Sequence, residues 1–252
     1  MTTTRQNITE GTTPASRLRG ILGRSAQGLL LGWVVFAAVA AAANLAQRSL
    51  LHRAKASPWT VSLADVQADE ARMHTINVVA LTLLAATGVA FVAWLFVEYR
   101  RVEERGGRVR HRTGWAIGGW VVPFANLYIP FMVVDDVWRD AAGEPGASDR
   151  AASIPVVPLW WAGWLGGLFL AAGASSKAED ASTLDGLLAA NTLYLVRDVI
   201  AAATAVLAIV IVQRVRRSSL PAVSVADAEF WARDRDRCAA PLEAPSGPEA
   251  GS

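Results

Sequence analysis

Gly114-Trp-Ala-Ile-Gly-Gly-Trp-Val-Val-Pro-Phe-Ala-Asn-Leu-Tyr-Ile-Pro130 is the stretch on which the architecture turns. It carries no charge, so it is apolar enough to enter a bilayer. It also contains Gly118, Gly119, Pro123 and Pro130. Each proline removes a backbone donor and clashes with the preceding turn, so a straight membrane-spanning helix is not expected here. Whether this segment crosses decides whether the chain spans the membrane four times or five.

Five stretches contain no Asp, Glu, Lys or Arg: 25–47, 75–97, 113–134, 151–176 and 199–213. They occur in a chain of 252 residues that is 53% hydrophobic and only 18% charged, so the charges are crowded into what remains. A soluble protein interleaves charge along its amphipathic helices, whereas crossing about 30 Å of hydrocarbon needs roughly 20 consecutive apolar residues. The chain therefore reads as an all-α integral membrane protein. The run 28–46 is longer than a signal-peptide core and reads as an anchor helix. The stretch 199–213 is too short alone, so the last span must reach back over Arg197 and Asp198. This places four spans at 28–46, 76–97, 156–174 and 192–213 in a membrane domain covering 25–217. The flanks 1–24 and 218–252 are poor in large apolar residues and are expected to be disordered cytoplasmic tails, with a short helix at 226–237.

Counting Lys and Arg in the flanking loops chooses between topologies. If all five stretches cross, the two sides carry 11 and 9 basic residues, which expresses no preference. If the proline segment, 115–141, enters and leaves by one face, the counts are 15 and 5. The second division predicts four spans, both termini cytoplasmic in the plasma membrane, and a proline-broken re-entrant or interfacial segment. Irregular backbone at membrane depth must be enclosed by protein or water, so the four helices should surround it.

Local signals fill in the elements. Ser62-Leu-Ala-Asp65 resembles a capping box, and the pattern after it predicts one helix over 62–105, stopped by Gly106-Gly107. Pro130 suits the first turn of a short amphipathic helix, with Val133, Val134, Val137, Trp138 and Ala141 on one face. Asp135, Asp136, Arg139 and Asp140 occupy the other face, where Asp135 and Arg139 form an expected solvated ion pair in the interface plane. The alanines of the first span and Gly163-xxx-Gly167 are small residues of the kind that let helices approach closely in lipid. Most of the tryptophans between Trp94 and Trp164 read as headgroup-level anchors.

The pattern of Trp115, Trp120, Pro123, Asn126 and Pro130, followed by Trp138 and by Trp160-Trp161-x-x-Trp164, resembles a family of bacterial multi-pass membrane proteins common in actinobacteria. That family is domain of unknown function 4328 (DUF4328). The resemblance extends over 28–217 and implies a four-helix membrane domain. It supplies no catalytic residue.

Other functional classes find little support in the residues. The net charge of +2 is small and its arginines flank apolar segments, where they face headgroups; no nucleic-acid partner is expected. Cys238 is the single cysteine, and His52, His74 and His111 are scattered outside any metal-binding spacing. No catalytic, cofactor or metal site is predicted, and a non-enzymatic scaffold that binds a protein partner or lipid is the leading reading. Arg100, Arg101, Arg105, Arg108, Arg110 and Arg112 would meet anionic lipid. The alternative is a small transporter or channel component with a polar path near Asn126, Arg197 and Asp198. For Asn126 the preferred reading is that it ties down carbonyls freed by the two prolines. Arg197 could snorkel, and Asp198 would then need a partner on another helix.

Overall fold

The computed structural model describes residues 14–143 and 155–218. They form α1 (Pro14–Ala56), α2 (Leu63–Glu104), α3 (Trp115–Val121), α4 (Ile129–Ala142), α5 (Val156–Glu179) and α6 (Leu184–Ser218), with 3-10 turns at Pro58–Thr60 and Ala125–Leu127. The four helices α1, α2, α5 and α6 are long and apolar enough to cross a membrane, and each contains one expected span. The described residues thus form an all-α membrane domain with four spanning helices. Only 17% to 39% of the residues in their apolar stretches are buried within the chain, which leaves most of each stretch open to lipid.

Helix ends follow from local chemistry. Ser62 caps α2: its hydroxyl accepts from Asp65 N, and the Asp65 carboxylate accepts from Ser62 N at 2.9 Å. At the other end Gly106 adopts φ 73°, and Gly107 N bonds back to Val102 O, which closes the helix. Residues 14–24, expected as tail, are instead the first turns of α1. Leu22 and Ala26 pack into the core, Arg216 of α6 lies across Gly23, and Arg216 Nη1 donates to Gln27 Oε1 at 2.5 Å. These contacts hold the helix together beyond the apolar run. Residues 1–13, 144–154 and 219–252, including the helix expected at 226–237, lie outside the described residues.

Two sets of contacts fix the directions of the helices. Gln27 with Arg216, and Arg19 with Glu98 at 3.8 Å, bring the start of α1 and the ends of α2 and α6 to one end. The Lys55–Asp185 ion pair joins the end of α1 to the start of α6 at the other. The long helices therefore alternate in direction, and α3 and α4 return the chain to the end where α2 left it, which we call the proline end. Laterally, α1 packs between α2 and α6, and α6 between α1 and α5. Ala37, Ala40 and Ala43 are buried at helical spacing on α1, which permits a close approach. On α5, a side chain at Gly163 would collide with Thr204 of α6. Gly167 has open space around it, so the expected close-packing pair is reduced to one glycine.

Candidate functional site

Construction of the proline end starts from the missing donor of Pro123. Helix α3 stops at Val121, Phe124 takes φ 64°, and a single 3-10 turn leads to Pro130 in the first turn of α4. A positive φ at a β-carbon residue costs on the order of 1–3 kcal/mol and persists only where the surroundings hold it. Here two contacts do so. Gly119 lies against Ile129, where a Cβ would come within 2.7 Å, and Trp161 Nε1 donates to Leu127 O at 3.1 Å. The outer side of the segment is apolar, with Ile117, Val121, Phe124, Leu127 and Tyr128 exposed, as a segment lying against lipid requires.

Its inner side is an aromatic cluster. Trp120 of α3 meets Phe91 of α2 at 6.3 Å and Trp161 and Trp164 of α5 at 6.1 and 6.4 Å, in edge-to-face arrangements. Phe91 also touches Trp94 and Trp160. These rings bridge α2 and α5, whose backbones stay apart. Trp94, Trp160 and Trp161 are buried, and Trp120 and Trp164 are half-buried against them. The expected headgroup-level belt is therefore replaced by a core for these five. Trp115 remains exposed. Apolar rings are wanted here because four helices arranged in a row leave a gap between the outer two, and six-membered and indole rings fill it with few rotamers to freeze.

Beneath the cluster, charged groups fasten the 105–113 loop to α4. Arg110 Nε bonds Asp136 Oδ1 at 2.9 Å, Arg110 N donates to Asp136 Oδ2 at 2.9 Å, and the Arg110 guanidinium also meets Asp135. The Tyr99 hydroxyl accepts from His111 N at 3.1 Å and lies 3.2 Å from Asp136 Oδ2. Arg105 pairs with Asp140 at 2.6 Å. Burial opposes the charge of Arg110, but the bond to Asp135 and the charges of both aspartates outweigh it and raise its pKa above the ordinary value. The Asp135–Arg139 pair forms at 2.8 Å as expected, but only its arginine is solvated: Arg139 is exposed, whereas Asp135 and Asp136 are 8% and 3% exposed. The reason is the loop, which covers the acidic face of α4. Of the six arginines between 100 and 112, two lie on α2 and four in the loop, and Arg100, Arg101, Arg105 and Arg110 have carboxylate partners within the protein.

A second polar group lies toward the opposite end. Asp198 accepts from Arg197 Nη2 at 2.6 Å and from Asn44 Nδ2 of α1 at 2.8 Å, which supplies the partner on another helix that it needed. Asn191 Nδ2 donates to Asn44 O and to Gln47 Oε1, both at 3.0 Å. The Oδ1 atoms of Asn44 and Asn191 are buried without a hydrogen bond among the described residues. Asn126 takes no part. It is exposed at the proline end, and its side chain makes no hydrogen bond among the described residues, so it does not tie down the carbonyls either. Asp198 lies 16 residues from Arg214, about 24 Å along α6, so Asn126 and the Arg197–Asp198 pair belong to opposite ends.

Tyr99, Glu98, Asn44 and Asn191 were not singled out from sequence. Glu98 is the first charge after an apolar run, and Asn44 is the one amide in the alanine-rich stretch, so both left a faint signal. The sequence matches the family described as domain of unknown function (DUF4328) over residues 57–217. The chain belongs to this family. No curated protein and no solved structure matches it significantly. The DUF4328 match includes the aromatic cluster, the Arg110–aspartate contacts and Asp198, but it starts after α1, short of the expected 28–217. Asn44, the interhelical partner of Asp198, therefore comes from outside the matched DUF4328 region.

Proposed function

We propose that this chain is a non-enzymatic protein of the cell membrane, with both termini cytoplasmic, that acts as a scaffold for a protein partner or lipid at its proline end. The observation that carries this reading is the convergence of arginines at that end: Arg19 and Arg24 on α1, Arg100 and Arg101 on α2, the four of the 105–113 loop, Arg139, and Arg214, Arg216 and Arg217 on α6. Basic residues in short flanking segments favour the cytoplasmic side. The ion pairs of Arg105 and Arg110 support a surface that is pre-formed rather than ordered by its partner, which lowers the entropic cost of binding. Reporter fusions at Gly146 and at the C-terminus are expected to lie both in the cytoplasm; either one outside removes the orientation. Affinity capture of the full chain from native membranes tests the scaffold. A protein or lipid class retained by the wild type and lost by Arg110→Ala at equal protein level supports it, and identical captured sets argue against it.

A second reading, a small transporter or channel component, draws support from the buried Asp198 and the two amide oxygens of Asn44 and Asn191. Ion flux in proteoliposomes that is present in the wild type and abolished by Asp198→Asn would favour it over the scaffold.

A further inference from the structure

We infer that the groove between α4 and the end of α6 is a binding site for one anionic phospholipid. The groove has a volume of about 480 Å³ and is lined by Trp138 and Ala141 of α4 and by Val210, Gln213, Arg214, Arg217 and Ser218 of α6. Positions 210, 213, 214 and 217 share one helical face, so the two guanidiniums and the Gln213 amide line the same side of the groove. Arg216 faces elsewhere, onto Gln27 and Gly23 of α1.

Two observations point to a phosphate-bearing lipid. The first is charge. Arg214 and Arg217 are exposed and have no carboxylate partner among the described residues, while the acids of the adjoining helix are already occupied: Asp135 and Asp136 by Arg110, and Asp140 by Arg105. Among the described residues two forked donors thus remain for an anion, and Arg matches phosphate oxygens in bidentate geometry. The Arg214 guanidinium lies 4.3 Å from the centre of the Trp138 ring, which steadies it without consuming its charge. The second is the polarity gradient. Val210 lies deeper along α6, inside the charge-free run, and Arg214 and Arg217 come beyond its end. Apolar at depth and cationic at the surface is the order of a phospholipid's own acyl and phosphate parts, and basic grooves between helices at the cytoplasmic side suit such headgroups. The six arginines between 100 and 112 fit less well, because four of them are held by internal carboxylates.

The inference deepens the lipid-binding part of the proposed function, but its test does not depend on orientation, because detergent exposes both ends alike. The full chain, purified in detergent, is titrated with phosphatidylglycerol or phosphatidylcholine, and bound lipid is counted by native mass spectrometry. The wild type is expected to retain phosphatidylglycerol over phosphatidylcholine. The double variant Arg214→Gln with Arg217→Gln is expected to lose that retention by about tenfold or more, at an unchanged thermal unfolding midpoint. Trp138→Leu, which keeps both charges, is expected to give an intermediate loss. Equal retention of the two lipids, or retention unaffected by the double variant, overturns the site. So does an equal loss in Arg108→Gln with Arg112→Gln, which would assign binding to the general basic surface. Displacement of phosphatidylglycerol by millimolar inorganic phosphate would assign a free anion and overturn the lipid. Failure of all these arms would leave the reporter and capture experiments standing.

Discussion

The proline end and the Asn44–Asp198 region both bury carboxylates, and they neutralise them in opposite ways. At the proline end, Asp135 and Asp136 share Arg110, 25 and 26 residues earlier on a loop with no helix of its own, and Asp135 also pairs with Arg139. In the other region, Asp198 is met by its sequence neighbour Arg197 and by one amide from α1. The first arrangement assembles structure: Arg110, with Arg105 on Asp140 and His111 on Tyr99, lays the loop on α4. The second only makes an existing helix pair tolerable in lipid. The two regions also respond differently to the loss of a partner. The aspartate side chains are short and enclosed, whereas Arg197 is long, 24% exposed and able to reach the membrane surface.

That contrast orders the expected effects of substitution. Arg110→Ala leaves the buried Asp136 without a cation and Asp135 with Arg139 alone, and is expected to cost about 3–5 kcal/mol, read by thermal or denaturant unfolding in detergent, with faster proteolysis near 105–113. Lysine at 110 should recover only part of it, because a single ammonium cannot reproduce the forked contacts to both aspartates. Asp198→Ala is expected to cost about 1–3 kcal/mol, since Arg197 can relocate and Asn44 loses one acceptor. An equal or larger loss than for Arg110→Ala would reverse the comparison. Between the two regions the α5–α6 contact is steric. Gly163→Leu, which drives a side chain into Thr204, is expected to cost about 1–2 kcal/mol, and Gly167→Leu less than about 0.5 kcal/mol. Smallest of all is Arg100→Ala. Its pair with Glu104 is exposed on both sides, so a change of about 0.5 kcal/mol or less sets the baseline against which Arg110 is read.

The spans were legible because lipid imposes a one-dimensional rule: a helix must stay uncharged for the thickness of the hydrocarbon, and this can be counted along the chain. The helices run further than the count. Absence of charge marks lipid, whereas α1 continues to Pro14 through contacts with α2 and α6 that no local window contains. The break at Pro123 was equally legible, since it arises from a missing N–H. Facing was not. Trp120, Trp160 and Trp161 have the composition of a headgroup belt, and only the separation of α2 from α5 turns them into a core. The burial of Asp135 and Asp136 was hidden for the same kind of reason: helical periodicity places them on a polar face, but it does not say that a basic loop will cover that face. Asn44 escaped notice because a neutral amide leaves a charge count unchanged.

The position of α6 between α1 and α5 bears on how the bundle is made. Helices leave the ribosome in chain order, so α1 and α2 can pair soon after insertion, while α5 has no long neighbour until α6 emerges. The fourth spanning helix among the described residues is the one against which two earlier helices must close. Until then the alanine stripe of α1 and the small face of α5 at Gly163 remain open to lipid, and assembly of the bundle is a late event in biogenesis.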